Sequence, residues 1–292
     1  MPRIRVVSLL LISFLLLGAF PAAADDDRDD GEGFLALGDS VAFGFSPLVR
    51  DRSEPESFVG YPEALAKLLD ADVVNASCPG EASGGFISLA SSLDNGCRSF
   101  RFGTAQRRGF PLHVRYRTAQ LDFAVKFLQK HRRTTLVTID LGANDLFVLQ
   151  HTCSNVPACV IGGLPQTLQT LGANLATIYR RIRVEAGYRG QIVALTYYAL
   201  NYADAAGLQV IAALNSVIEA ATLAAGGQVA SGFAAFLEAS AAAGSPLQPC
   251  AAGLLIRVPA PTLTCDIHPS RAGRTVLARA IRPLVRTPPK DD

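Results

Sequence analysis

Tryptophan is absent from the 292 residues, methionine occurs once and histidine only four times. With so few imidazoles, and with His113, His131 and His151 at no metal-ligand spacing, a histidine-built metal centre is excluded. The six cysteines contain no C-x-x-C and no Walker sequence occurs. GEGFLA at 31–36 begins like a dinucleotide fingerprint, but it precedes the apolar run it should follow and lacks the third glycine. No metal and no other cofactor is therefore expected. The elbow G-x-S-x-G is missing too, because Ala42 stands where its second glycine would be around Ser40.

An excess of charge of either sign is also lacking. MPRIR, VVSLLLISFLLLGAF and PAAA read as the basic, apolar and cleavage regions of a signal peptide over residues 1–24. The apolar run is short of the roughly 20 residues that span a bilayer. Arg3 and Arg5 lie in that segment and no acid does, so 27 basic residues become 25 in the mature chain, against 25 acidic ones. Neutrality offers neither a nucleic-acid footprint nor a general attraction to anionic membranes. The expectation is a secreted, extracellular monomer with no nucleic-acid partner and no stable membrane anchor after cleavage.

The acidic stretch at 25–32 reads as a solvated, disordered leader, residues 33–286 as one domain and 287–292 as a C-terminal tail. No Pro- or Ser-rich linker and no internal repeat divides the middle of the chain. Six cysteines in an exported chain favour disulfides over metal ligation.

Apolar runs at 34–38, 71–75, 134–142 and 191–198 read as strands. Helical periodicity fills 61–70, 119–131, 164–186, the Ala-rich region 204–243 and 270–281. Asn215, Glu219, Glu238 and two glycine-containing breaks make that Ala-rich region packed helices rather than a membrane span. Strands alternating with helices predict an α/β fold with a parallel sheet covered on both faces.

In such sheets ligands sit beyond the carboxyl ends of the strands. GDS (38–40), NASCPGE (75–81) and GAND (142–145) each follow an apolar run, and DIHPS (266–270) precedes the last helix. Ester hydrolysis needs a nucleophile, a base and donors aimed at the developing oxyanion. Ser40 supplies a hydroxyl and a backbone N–H, Gly80 an N–H with no side chain in the way, Asn144 an amide donor, and His268 a base. Singly each motif reads as structure: GDS as a turn, Gly80 as a turn glycine, Asn144 as a cap, HPS as a helix start. In order, and each at an inferred strand end, they read as one catalytic set. Asp39 and Asp145 beside them are expected to bind loop backbone rather than move protons. NAS at 75–77 matches a glycosylation sequon by chance.

FLALGDSVAFG, NASCPGE, TIDLGANDL and DIHPS follow the order of the four blocks of the SGNH (GDSL-type) hydrolase family, and from about Gly33 to Leu284 the chain resembles its secreted bacterial lipase/esterase members. The resemblance implies a three-layer α/β/α sandwich with a flavodoxin-like sheet. It also implies Ser40 as nucleophile, His268 as general base, and Ser40, Gly80 and Asn144 as the oxyanion hole. One position departs from the family pattern: the acid usually stands three residues before the histidine, where this chain has Cys265, and Asp266 is only two before it. Asp266 is taken as the third member of a triad, with a Ser–His dyad oriented by a backbone carbonyl as the alternative.

Secreted members of the family often carry three bridges, and this chain is expected to pair sequence neighbours: Cys78–Cys97, Cys153–Cys159 and Cys250–Cys265, one of 15 connectivities. Each pairing stiffens a loop that bears or adjoins a catalytic candidate. The expected activity is hydrolysis of small-molecule or lipid carboxylic esters through an acyl-enzyme on Ser40. Carbohydrate O-deacetylation by the same machinery is the alternative enzyme reading, and a non-catalytic binding protein the alternative of another class. Arg98, Arg101, Arg107, Arg108, Arg115 and Arg117, with no acid among them, read as a solvated loop paired with acids elsewhere rather than as a headgroup patch. Phe86, Phe100, Phe102 and Phe110 in the same region either line an acyl pocket or anchor the loop.

Overall fold

Phe34–Gly38 (β1) is buried at every position, and so is Leu136–Asp140 (β3), as strands covered on both faces must be. They lie side by side in the computed structural model, which describes residues 33–98, 111–259 and 264–286. The expected signal peptide, acidic leader and C-terminal tail lie outside the described residues, as do Arg101, Arg107, Arg108, Phe100, Phe102 and Phe110. Of the remaining arginines in that segment, Arg98 pairs with Asp94 at 3.6 Å.

Val73–Asn75 (β2), Gln191–Leu195 (β4) and Gln228–Ala230 (β5) complete a five-stranded parallel sheet in the order β2-β1-β3-β4-β5. The chain winds outward from β1 to β2 on one side and from β3 to β5 on the other. Because crossovers are right-handed, helices of the two directions fall on opposite faces. Tyr61–Leu69 (α2) accordingly packs with the C-terminal helix Arg271–Ile281 (α9), which also packs on Gly232–Ala242 (α8). The other set comprises Ser83–Ile87 (α3), Gln120–Lys130 (α4), Ala143–Thr152 (α5), Pro157–Arg180 (α6) and Ala205–Ala224 (α7). A short first helix, Ser40–Phe43 (α1), follows β1 directly. The winding reverses between β1 and β3, so the residues leaving those two strands flank the crevice where ligands of such sheets bind.

Several elements differ from expectation. α6 starts at Pro157 rather than Leu164 and runs through Pro165. A proline at the first helical position costs no hydrogen bond, which is why the true start is tolerated there. β5 falls within the Ala-rich region and is only three residues long, too short for a period to be seen. α7 is long and apolar enough to cross a membrane by length and composition. It nevertheless links β4 to the adjacent β5 and buries Leu214, Ile218 and Thr222, so it is a crossover helix of the fold. Finally, Leu255–Val258 (β6) and Thr264–Pro269 (β7) form an antiparallel pair, placing DIHP in a strand.

Candidate active site

Ser40 is the first residue of α1, and Asp39 before it caps the helix by accepting the Val41 N–H at 2.9 Å. The chain reaches that turn through Gly38 (φ 135°), whose Cβ, if it had one, would lie 2.2 Å from the Asp140 carbonyl oxygen of β3. Only glycine permits so close an approach. Ser40 Oγ lies 2.8 Å from His268 Nε2, and Asp266 Oδ1 bonds His268 Nδ1 on the far side of the ring. Three of the expected residues therefore form one hydrogen-bonded chain across elements 228 positions apart.

Asp266 reaches the ring because β7 is irregular there. Between the pairs Leu255↔Pro269 and Arg257↔Cys265, β6 advances two residues and β7 four, so Asp266, Ile267 and His268 bulge from the ladder. Within the bulge Asp266 Oδ1 also accepts the backbone N–H of His268 at 3.0 Å, an Asx-type turn that folds the carboxylate back over its neighbour. Tyr198 OH donates to the Ile267 carbonyl at 2.7 Å and holds the bulge from the end of β4. Partial burial would raise the Asp266 carboxyl, but the hydrogen bond from the His268 ring and that ring's charge outweigh it and hold it below the usual carboxylate range. The Phe45 ring covers the imidazole at 4.9 Å between centroids.

Asn144, near the start of α5, is buried and joins the site through Asp39: its Nδ2 donates to Asp39 Oδ2 at 3.0 Å. Tyr197 OH donates to the same oxygen at 2.7 Å. Gly80 adopts φ 80°, and a Cβ there would meet the Asn95 carbonyl oxygen at 2.5 Å. Asn95 links the two: its N–H donates to the Gly80 carbonyl at 3.0 Å and its Nδ2 to Asn144 Oδ1 at 2.9 Å. Among the described residues, the backbone N–H groups of Ser40 and Gly80 have no backbone acceptor.

Below the nucleophile turn, burial raises both Asp39 and Asp140, and Asp140 far more. Asp39 receives three donors, from Val41, Tyr197 and Asn144, whereas Asp140 receives Tyr61 OH at 3.1 Å. The donors favour charge on Asp39, and that charge in turn keeps the proton on Asp140. Asp145 accepts the Ser83 N–H at 2.9 Å and the Ser83 hydroxyl, tying α5 to α3. Burial pushes its carboxyl up to about 6 against the pull of both Ser83 donors. The Asn75 amide is buried and donates to the Ala42 carbonyl at 2.9 Å and Glu63 Oε1 at 2.7 Å, so it is no glycosylation acceptor.

Disulfides join Cys78 to Cys97, Cys153 to Cys159 and Cys250 to Cys265. The potential metal ligands Cys78, Glu81 and Cys97 cluster, but both sulfurs are used in a bridge. Beside Ser40 and His268 opens a cavity of about 330 Å³ lined chiefly by apolar groups, including Leu146, Phe147, Tyr198, Val210, Ile211 and Leu214. Asn95, Ser83 and Tyr197 were not foreseen. They lie outside the four sequence blocks, and no local pattern distinguishes them from ordinary polar residues.

A serine hydrogen-bonded to a histidine, the histidine to a carboxylate, and an asparagine amide beside them at the switch point define a serine-hydrolase type of site on a parallel α/β sheet. The model of the GDSL-like lipase/acylhydrolase family matches residues 36–276, and the chain belongs to that family of serine ester hydrolases. No curated protein matches the sequence. Among solved structures the fold is similar to phospholipase A1 from Streptomyces albidoflavus NA297 (19% identity, TM-score 0.55, covering 87% of this chain and 99% of that one). It is similar also to an acetylxylan esterase from Geobacillus stearothermophilus (18%, TM-score 0.52, 86% and 93%). A GDSL-like lipase from Parabacteroides merdae ATCC 43184 gives 14%, TM-score 0.51, 85% and 92%.

Proposed function

We propose that the protein is a secreted esterase or lipase that cleaves carboxylic esters with an apolar acyl group through an acyl-enzyme on Ser40. The observation that carries this reading is the chain Asp266–His268–Ser40 at the mouth of an apolar cavity. His268 Nε2 takes the proton as Ser40 Oγ attacks the ester carbonyl carbon. The oxygen that becomes negative is held by the N–H groups of Ser40 and Gly80 and by the Asn144 amide hydrogen not used by Asp39. Asp266 fixes the tautomer with the proton on Nδ1 and stabilises the imidazolium. The imidazolium then protonates the departing alcohol, and a water activated by the same histidine releases the acid.

The acyl chain is assigned to the cavity because apolar walls reward each buried methylene with about 0.8 kcal/mol, whereas an acetyl group leaves most of that surface unused. Three disulfides support an oxidising, extracellular location.

The test is kcat/KM across p-nitrophenyl esters of graded acyl length. It is expected to rise from acetyl to chains of intermediate length and to vanish in Ser40→Ala. A maximum at acetyl, with release of acetate from acetylated glycans, would instead favour the carbohydrate deacetylase. Hydrolysis of no ester at all would leave the fold as a binding protein.

A further inference from the structure

An asparagine that serves as an oxyanion donor has a built-in ambiguity. Its amide is nearly symmetric in shape, and a flip replaces the N–H by a carbonyl oxygen that repels the developing charge. Two contacts on Asn144 act against that flip. On one end the Asp39 carboxylate, an acceptor, receives Nδ2 at 3.0 Å. On the other, Asn95 Nδ2 donates to Oδ1 at 2.9 Å. A flip would face oxygen with oxygen at the first contact and nitrogen with nitrogen at the second.

Asn95 is itself firmly held. The buried Asp94 side chain accepts the N–H groups of Gly96 and Cys97 at 2.9 and 2.8 Å, closing the turn around it. The bridge from Cys97 to Cys78 fastens that turn two residues before Gly80. The Asn95 N–H binds the Gly80 carbonyl at 3.0 Å, and its own carbonyl oxygen fills the space a Gly80 side chain would need. The backbone of Asn95 thereby fixes one donor and its side chain orients the other.

We propose that Asn95 is a positioning residue of the oxyanion site, coupling Gly80 and Asn144 so that both present N–H groups to the same oxygen. The inference rests on the assignment of those two residues as oxyanion donors. Asn95 belongs to the disulfide-closed segment rather than to any of the four sequence blocks.

The test is a double-mutant cycle read as kcat and KM on one p-nitrophenyl ester. Asn95→Ala keeps the backbone N–H to Gly80 and removes only the side-chain donor. It is expected to lower kcat about tenfold to a hundredfold, less than the 10²–10³ typical of losing the oxyanion donor outright, with KM changed less than about threefold. Asn95→Asp, which keeps the size and turn preference but opposes an acceptor to Asn144 Oδ1, is expected to lose at least as much. In an Asn144→Ala background either change should cost less than about twofold, because the amide it orients is gone. Equal losses in both backgrounds would mark a general structural role and overturn the proposal, as would a silent Asn95→Ala beside an impaired Asn144→Ala. Full activity of Asn144→Ala would instead overturn the oxyanion assignment, and the inference with it.

Discussion

Asp266 stands two residues before His268, and its Oδ1 accepts both the backbone N–H of His268, at 3.0 Å, and the ring Nδ1. One oxygen thus closes the turn and orients the imidazole. The bulge in β7 makes this spacing work, and it leaves Cys265, at the position where the family usually has its acid, bonded to Cys250.

Replacing that carboxylate by an amide tests the relationship. Asp266→Asn removes the charge that stabilises the imidazolium and leaves a single oxygen for both bonds, so a flip of the amide gives up the turn and the Nδ1 contact together. A kcat loss of about 10³–10⁴ is expected, as for the acid of a triad. A loss below about tenfold, in steady-state kinetics at neutral pH, would mean that Asp266 only shapes the loop and that a dyad carries the reaction.

The buried pair Asp39 and Asp140 makes opposite predictions for its two members. Burial and the neighbouring Asp39 push the Asp140 carboxyl far above the usual carboxylate range, so the uncharged isostere in Asp140→Asn should cost kcat less than about tenfold. Asp39→Asn puts an NH2 in place of either Oδ1, which accepts the Val41 N–H, or Oδ2, which Tyr197 and Asn144 share. It should cost about tenfold to a hundredfold by loosening the Asn144 donor. Kinetics of the two variants side by side decide the matter, and the reverse order would contradict the protonation assigned here.

The strands β1, β3 and β4 were legible because apolar runs of ordinary strand length are bounded by turns. The carboxyl ends of β1 and β3, with that of the run at 71–75 that contains β2, were enough to gather Ser40, Asn144 and the Gly80 loop on one edge. β5 was not legible, since three residues between two Ala-rich helices carry no period. The contact between Asp266 and His268 could not be read from spacing alone, because it depends on a bulge set by pairing with β6. Asn95 and Tyr197 are joined to the site by hydrogen bonds spanning 49 and 158 positions, and no local signal announces such contacts.

Asp145 gives the protein a pH-dependent term in stability. Its folded carboxyl is raised from 3.8 to about 6, so the fold favours the neutral form. The contribution is fully present below about 3.8 and is lost as pH rises through about 6, a difference of about 3 kcal/mol. Relative to the parent, Asp145→Asn should therefore gain several degrees in Tm between pH 4 and pH 7, whatever constant cost the lost Ser83 contact imposes. Thermal melts at the two pH values check this, and a pH-independent difference would contradict it.

Reduction should act on the site before it acts on the fold. The Cys78–Cys97 bridge anchors the turn that carries Asn95, and Cys250–Cys265 spans 15 residues and ends beside the Asp266 turn. The latter loop alone contributes about 3 kcal/mol by chain entropy. With increasing reductant, esterase activity is expected to fall while far-ultraviolet circular dichroism is still native. Coincident loss of the two signals would show that the bridges support the whole domain equally.

The central claim, that His268 activates Ser40 as the nucleophile, is tested most directly by covalent labelling with a fluorophosphonate followed by peptide mass mapping. One adduct per chain is expected, on Ser40. It should be absent in Ser40→Ala and form at least about a hundredfold more slowly in His268→Ala, which keeps the hydroxyl but loses its base. An adduct on another residue, or undiminished labelling without His268, would contradict the mechanism.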